Sequence, residues 1–140
     1  MTPKHLEIMC ECAREATFKT GDTLFREGEP AGEFYLIENG LVTLEAHKAM
    51  GHITNIQSLG EGEMVGWSWL FPPFTWHFQA RVAEPTTAIV FNGGHLLAAA
   101  ERDPKFGYDL MKRVVQVVIH RLQATRDRLK ELQVDAAVRE

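Results

Sequence analysis

Between residues 16 and 91, short runs of β-forming residues alternate with turn residues every few positions. The runs cover residues 34–38, 41–47, 53–59, 76–83 and 86–91. Asn39-Gly40 predicts a two-residue hairpin between the first two runs, because both positions tolerate a positive φ. Glu84-Pro85 predicts a turn between the last two. Many short strands with regular turn signals are typical of an antiparallel sandwich or barrel.

Helical signals flank this β region on both sides. Residues 3–15 show helical spacing of apolar residues and predict a short N-terminal helix. Asn92 is a candidate N-cap for a helix of about two turns. Asp103 is a candidate cap for a helix that begins at Pro104 and meets no helix breaker before about residue 134. The sequence therefore predicts a mainly β fold with flanking helices.

The last predicted helix carries a heptad pattern, called here the heptad seam. Its members alternate at spacings of four and three residues: Met111, Val115, Val118, Leu122, Thr125, Leu129 and Leu132. This is the a/d pattern of a coiled coil. The helix could pack on its own barrel, but about 30 residues span about 45 Å, which exceeds the width of a small barrel. We therefore expect a homodimer through this helix.

Composition narrows the class of protein. The chain has 140 residues, 45% of them apolar, which suits one domain, and a net charge of −4 that does not favour a nucleic-acid surface. No apolar run is long enough for a membrane span, the charged start is unlike a signal peptide, and two cysteines make no disulfide framework. We expect a cytoplasmic protein without membrane association. The charge balance changes near Pro104. The residues before it include 7 basic and 14 acidic side chains, and the residues from Pro104 onward include 8 basic and 5 acidic side chains.

Residues 21–46, GDTLFREGEPAGEFYLIENGLVTLEA, resemble the first half of a cyclic nucleotide-binding domain of the catabolite activator (Crp/Fnr) superfamily. The matching features are Gly21 ahead of a hydrophobic strand, Gly28-Glu29, Phe34-Tyr35 before Leu36-Ile37, and Gly40 before Val42. The order of elements agrees over about residues 5–132. The resemblance implies an antiparallel jelly-roll (double-stranded β-helix) barrel with a short N-terminal helix over residues 1–103, and a long C-terminal dimerisation helix over residues 104–140.

The family binds its ligand with a phosphate-binding cassette that contains Gly-Glu and, later, Arg-x-Ala. The Glu accepts a hydrogen bond from the ribose, the Arg pairs with the cyclic phosphate, and backbone N–H groups of a short helix hold the same phosphate. Here Gly66 matches the glycine, but Trp67 replaces the Glu, and Phe78 (His77 when counted from Gly66) replaces the Arg. Arg81 is expected on the opposite face of its strand. We therefore expect no ordinary cAMP binding.

Aromatic residues replace the two polar anchors. Six of them lie within twelve residues: Trp67, Trp69, Phe71, Phe74, Trp76 and Phe78. They either fill the barrel as core or line a pocket for a small apolar or aromatic effector. The resemblance implies that a pocket of this kind is possible, because relatives in the superfamily sense haem, aromatic compounds and small acids. In the pocket interpretation, the ligand-binding residues are Val65, Gly66, Trp67, Ser68, Trp69, Leu70, Trp76, His77, Phe78 and Ala80.

No other constellation in the sequence predicts catalysis, a metal or a cofactor. The histidines include no His-x-His pair, and His47 and His52 flank a predicted turn. Cys10 and Cys12 supply two of the four thiolates that an iron–sulfur cluster requires. The chain ends soon after the heptad seam, so we expect no helix-turn-helix and no direct DNA binding.

The favoured interpretation is a stand-alone Crp/Fnr-like signalling module, related to transcription regulators, that acts as a dimeric ligand sensor and not as an enzyme. One alternative is a genuine cAMP or cGMP receptor that uses backbone amides of the cassette. A second is a cupin-like, metal-dependent enzyme on a similar barrel.

Overall fold

The computed structural model describes residues 1–47 and 53–139, apart from the side chains of His47, Thr54, Thr125, Arg128 and residues 132–139. The predicted turn between His47 and His52 lies outside the described residues. So do the side chains of the seam residues Thr125 and Leu132.

Within the described ranges, six antiparallel strands lie between one N-terminal helix and two C-terminal helices. The elements are α1 (Pro3–Glu11), β1 (Ala13–Phe18), β2 (Thr23–Phe25), β3 (Glu33–His47), β4 (Ile53–Leu59), β5 (Met64–Val65), a 3₁₀ helix (Ser68–Leu70), β6 (Gln79–Asn92), α2 (Gly93–Arg102) and α3 (Pro104–Arg139). Strand β6 pairs with β1, β2 and β3, and β3 also pairs with β4 and β5. The predicted mainly β fold with flanking helices is confirmed.

The predicted hairpin at Asn39-Gly40 is wrong, because β3 runs straight through it. Both halves of β3 pair with β6, from Glu33 opposite Asn92 to Glu45 opposite Gln79, with register shifts around Gly40. Gly40 has φ 114°, and a Cβ atom there would overlap Thr86. The glycine therefore permits a close approach between strands, in place of the turn that its sequence context suggests.

Strand β6 also continues through the predicted turn at Glu84-Pro85. The predicted strands 76–83 and 86–91 are thus one strand, Gln79–Asn92, and the prediction of strand for residues 76–78 is wrong because these residues precede it. Pro85 has no partner in the β3 register, where the pairs step from Glu84 to Thr87. A proline fits within this strand because it falls at the irregularity, where no ladder hydrogen bond is required of it.

The predicted helix caps are confirmed, and one predicted helix is too long. The Asn92 side chain accepts a hydrogen bond from the backbone N–H of His95 at 3.0 Å. Asp103 likewise accepts from the N–H of Phe106 at 3.3 Å. The helix predicted over residues 3–15 ends at Glu11, because Ala13 already pairs with Phe91 in the sheet.

Apolar side chains form two clusters on opposite faces of the sheet. The inner cluster is enclosed by the strands and includes Phe25, Tyr35, Ile37, Val42, Leu44, Leu59, Val65, Trp76, Ala80, Ala88 and Val90. The outer cluster lies under α2 and the first half of α3 and includes Phe34, Trp69, Leu70, Phe91, Leu96, Phe106, Leu110 and Val114. Alternation along β3 sends neighbouring side chains to different clusters.

Candidate functional site

The segment that corresponds to the cassette covers residues 64–80 and leaves β5 at Gly66, whose φ is 97°. It returns along residues 28–31 through backbone hydrogen bonds. The Gly28 N–H donates to Trp76 O at 2.8 Å, the Trp76 N–H donates to Glu29 O at 3.0 Å, and the Ala31 N–H donates to Phe74 O at 2.7 Å. These bonds fix the entry of Trp76 into the inner cluster.

Trp76 fills the space between the strands. Its side chain is 5% exposed, and its ring stacks on Phe25 with centroids 3.7 Å apart and planes 9° apart. A Cβ atom at position 66 would overlap the Trp76 indole, so the glycine is required for this packing.

Trp69 and Leu70 take the opposite direction and enter the outer cluster. Trp69 stacks on Phe34 with centroids 4.7 Å apart, and its Nε1 donates to Gly66 O at 3.3 Å. Phe71 and Phe74 are exposed. The structure therefore does not bring the six aromatic residues of the segment together in one pocket.

A small cavity remains beside the segment, with a volume of about 30 Å³. Six of the ten predicted ligand-binding residues line it: Gly66, Trp67, Ser68, Trp76, His77 and Phe78. Val65, Trp69, Leu70 and Ala80 do not. One water molecule has a share of about 30 Å³ in the liquid, whereas pockets for drug-sized ligands measure about 300–1,000 Å³. The small cavity thus has room for about one water molecule.

A guanidinium group does reach the cassette segment, but it comes from α3. Arg121 is 7% exposed, and its Cζ lies 4.8 Å from the centroid of the Trp67 ring. Burial lowers the pKa of Arg121 to about 10, while the nearby Glu63 carboxylate acts in the opposite direction. Arg81 instead points outward, as strand alternation predicts, and its Nε lies 3.4 Å from Glu45 Oε1.

A larger cavity of about 510 Å³ lies on the outer face of the sheet, between the sheet, α1 and α3, and is called here the helix-side cavity. Its apolar wall includes Met9, Phe34, Leu36, Met64, Leu110 and Val114, and its polar residues include Glu63, Arg113, His120 and Arg121. Sequence reasoning missed both the helix-side cavity and Arg121, because the walls of the cavity come from elements far apart in the chain. The available signal was the spacing of Leu110, Val114, Val117 and Arg121, a helical stripe beside the heptad seam.

Neither a metal site nor a membrane span is found in the part of the chain that the structure describes. No group of three or more His, Cys, Asp or Glu side chains there is arranged to hold a metal ion. No helix there combines the length and apolarity that crossing a membrane requires. Cys10 and Cys12 are both free thiols, and burial raises the pKa of Cys12.

Comparison with known proteins decides the family. A profile of the cyclic nucleotide-binding domain matches residues 15–103, more than half of the chain. The chain belongs to the cyclic nucleotide-binding domain family. The resemblance of residues 21–46 is thereby confirmed, and the cassette segment of this cyclic nucleotide-binding domain carries Trp67 and Phe78 at the two positions assigned to the polar anchors.

Solved structures share the fold of this cyclic nucleotide-binding domain. A protein of Geobacter metallireducens GS-15 is 27% identical, with a TM-score of 0.78, over 87% of this chain and 88% of its own. A cyclic nucleotide-binding domain from Methylobacillus flagellatus KT is 20% identical, with a TM-score of 0.83, over 94% and 74%. The catabolite activator protein of Thermus thermophilus is 22% identical, with a TM-score of 0.68, over 99% and 61%.

Proposed function

We propose that this cyclic nucleotide-binding domain is a regulatory, ligand-sensing module of jelly-roll architecture. It acts as a homodimer, without enzymatic activity or direct DNA binding. It does not bind cAMP or cGMP in the manner usual for its family. The observation that carries the proposal is the stack of Trp76 on Phe25, which leaves about 30 Å³ at the cassette segment.

Loss of the two polar anchors weakens nucleotide binding, as the filling of the space by Trp76 does. Each hydrogen bond to a charged group contributes about 1.5–3 kcal/mol. Trp67 offers no carboxylate to a ribose hydroxyl, and Phe78 offers no guanidinium to a cyclic phosphate. The guanidinium of Arg121 lies over the Trp67 ring. A nucleotide would therefore lose both anchors and also have to displace buried aromatic rings.

Three backbone amides of the cassette segment already donate hydrogen bonds within the fold. The N–H of Leu70 donates to Trp67 O at 3.0 Å, the N–H of Phe74 to Phe71 O at 2.8 Å, and the N–H of Trp76 to Glu29 O at 3.0 Å. These donors already have partners inside the fold. This observation argues against a receptor that holds the phosphate by the amides of Leu70, Phe74 and Trp76.

Exposure along α3 supports the homodimer. The seam residues Val115, Leu122 and Leu129 are 52%, 67% and 55% exposed in the single chain. The buried face of the same helix, with Leu110 and Val114, packs on the sheet. Met111, the first seam residue, packs against the outer cluster. At Val115, Leu122 and Leu129 the seam is an apolar stripe that the described part of the chain leaves exposed, and a second copy would bury it in coiled-coil packing.

The test is calorimetric titration with cAMP and cGMP at millimolar concentration. We expect no measurable binding heat, because neither anchor nor volume is present. The matched variant combines Trp76→Ala with Trp67→Glu and Phe78→Arg, which opens the space and installs both anchors, and we expect it to gain binding. Micromolar affinity of the unmodified protein would refute the proposal.

A further inference from the structure

We propose that the helix-side cavity binds a small molecule with an apolar body and one carboxylate group. The inference rests on the proposed sensing function and deepens it, because it moves the ligand from the cassette segment to the opposite face of the sheet. The site lies between the sheet and α3.

The volume and the walls of the cavity suit an apolar body. At about 510 Å³ it falls within the range of ligand pockets. Phe34, Leu36 and Met64 form the sheet side, and Leu110 and Val114 form the helix side. Methionine side chains are unbranched and polarisable, so they adapt to apolar ligands of different shapes.

The polar lining favours an anion. Arg113, His120 and Arg121 lie on α3, and Glu63 is the carboxylate that lines the cavity with them. Arg113 Nε also lies 3.5 Å from Oδ1 of Asp109, which does not line the cavity. A guanidinium recognises a carboxylate with two parallel hydrogen bonds. Burial already disfavours the charge on Arg121, and this lowers its pKa to about 10. An additional carboxylate would stabilise that buried charge.

The heptad seam and the lining of this cavity have no residue in common. Leu110, Val114 and Val117 face it, whereas Val118 and Leu122 of the heptad seam lie on another face of the same helix. A partner seated on the seam would therefore contact side chains outside the cavity, and it would meet the cavity only at its edge, where Val114 and Arg121 flank the seam.

The position of Arg121 should make ligand binding detectable by tryptophan fluorescence. It lines both the helix-side cavity and the small cavity, and its guanidinium lies over Trp67. A carboxylate that attracts this guanidinium changes the environment of the indole. Binding in the helix-side cavity should therefore alter tryptophan emission, although none of the three tryptophans lines that cavity.

The probe is sodium decanoate, with 1-decanol as the neutral control of equal chain length. Titration of the full chain, followed by calorimetry and by tryptophan emission, should show decanoate binding at least about tenfold more tightly than decanol. Arg121→Gln should weaken decanoate binding about tenfold and leave decanol unchanged. Arg126→Gln, at an exposed position on the same helix, should change neither.

Two filling variants locate the site. Val117→Trp reduces the volume of the cavity and should abolish binding of both probes. If this variant fails to fold, Gln116→Trp at the rim also reduces the volume and should have the same effect. Absence of decanoate binding overturns the inference, as do equal affinities for the two probes and unchanged binding in the folded filling variant. If Gln116→Trp instead dissociates a dimer, the cavity is an interface and the inference fails.

These outcomes are distinguishable from failure of the proposed function. Cyclic nucleotide binding at micromolar affinity would refute the proposed function and leave a positive decanoate result intact. Absence of decanoate binding would refute only the inference.

Discussion

Gly66 is constrained for two separate reasons. Its φ of 97° lies in a region that side chains disfavour, and the space where its Cβ would project is filled by the Trp76 indole. Gly28 offers a natural comparison, since its φ is 87° and no atom lies within 4 Å of an added Cβ. The pair separates the conformational from the steric requirement.

We expect Gly66→Ala to lower the free energy of unfolding by about 2–4 kcal/mol, because the left-handed conformation and the overpacking of Trp76 add together. Gly28→Ala should cost about 1–2 kcal/mol, from conformation alone. Urea unfolding of both variants measures the difference. Equal losses would contradict the close packing of Trp76 against residue 66.

Residue by residue, the cassette segment was the hardest part to predict. Gly66 and Phe74 both have positive φ, so the chain changes direction twice within the segment. No single periodicity then assigns its side chains to faces. The presence of an aromatic cassette was readable from the sequence, but the opposite destinations of Trp69 and Trp76 were not.

Among the elements, α1 is joined to α3 by a partly buried polar contact. His5 Nδ1 lies 3.1 Å from Asp109 Oδ2, and the His5 ring packs edge-on against Phe106 with centroids 5.5 Å apart. The hydrogen bond from His5 is the main cause that holds the pKa of Asp109 below its usual value. This contact should make the stability of the protein depend on acidity.

The lowered pKa of Asp109 determines the direction in which stability changes with pH. Asp109 contributes stability that is fully present above the pKa of an unfolded aspartate, about 4, and is lost as the pH falls through its lower folded pKa. We expect Asp109→Asn to be less stable than the unmodified protein at pH 7 and to lose less stability on acidification below about pH 4. Urea unfolding between pH 7 and pH 3 measures both slopes.

Asp127→Asn is the matched control, because Asp127 is exposed on the same helix. Its slope should follow that of the unmodified protein. Asp103, whose pKa is also lowered, is present in all three proteins and cancels in the comparison. Identical acid slopes for Asp109→Asn and the unmodified protein would show that the His5 contact does not form in solution.

The helices were predicted better than the strands for a physical reason. Helix caps are local, and Asn92 and Asp103 act on residues three positions away. Strand continuity depends on a partner far along the chain. Gly40 reads locally as a turn residue, and only the approach of Thr86 explains why a glycine is needed there.

At the scale of the whole molecule, both faces of the sheet are buried. Phe34 and Leu36 pack outward and Tyr35 and Ile37 inward, so this part of β3 reads as an unbroken apolar run. The sequence therefore predicted an antiparallel β fold with flanking helices but not which apolar residues face α3. That assignment decides where the helix-side cavity lies.

We expect the combined change Val118→Glu and Leu122→Glu to convert a dimer into monomers, because each charge would be buried at the centre of the heptad seam. Sedimentation velocity measures the change. Gln123→Glu, at an exposed position beside the seam, adds a charge on the same helix and should leave the dimer intact. A dimer that survives the double change would place the interface elsewhere.

The stack of Trp76 on Phe25 has a consequence for competition. A group attached to its own chain meets its binding surface at an effective concentration of the order of millimolar or more, without dilution. The indole therefore acts as a permanently tethered occupant of the space between the strands. A free molecule at micromolar concentration would have to outcompete it, so changes in the supply of such a molecule would leave this interior unchanged.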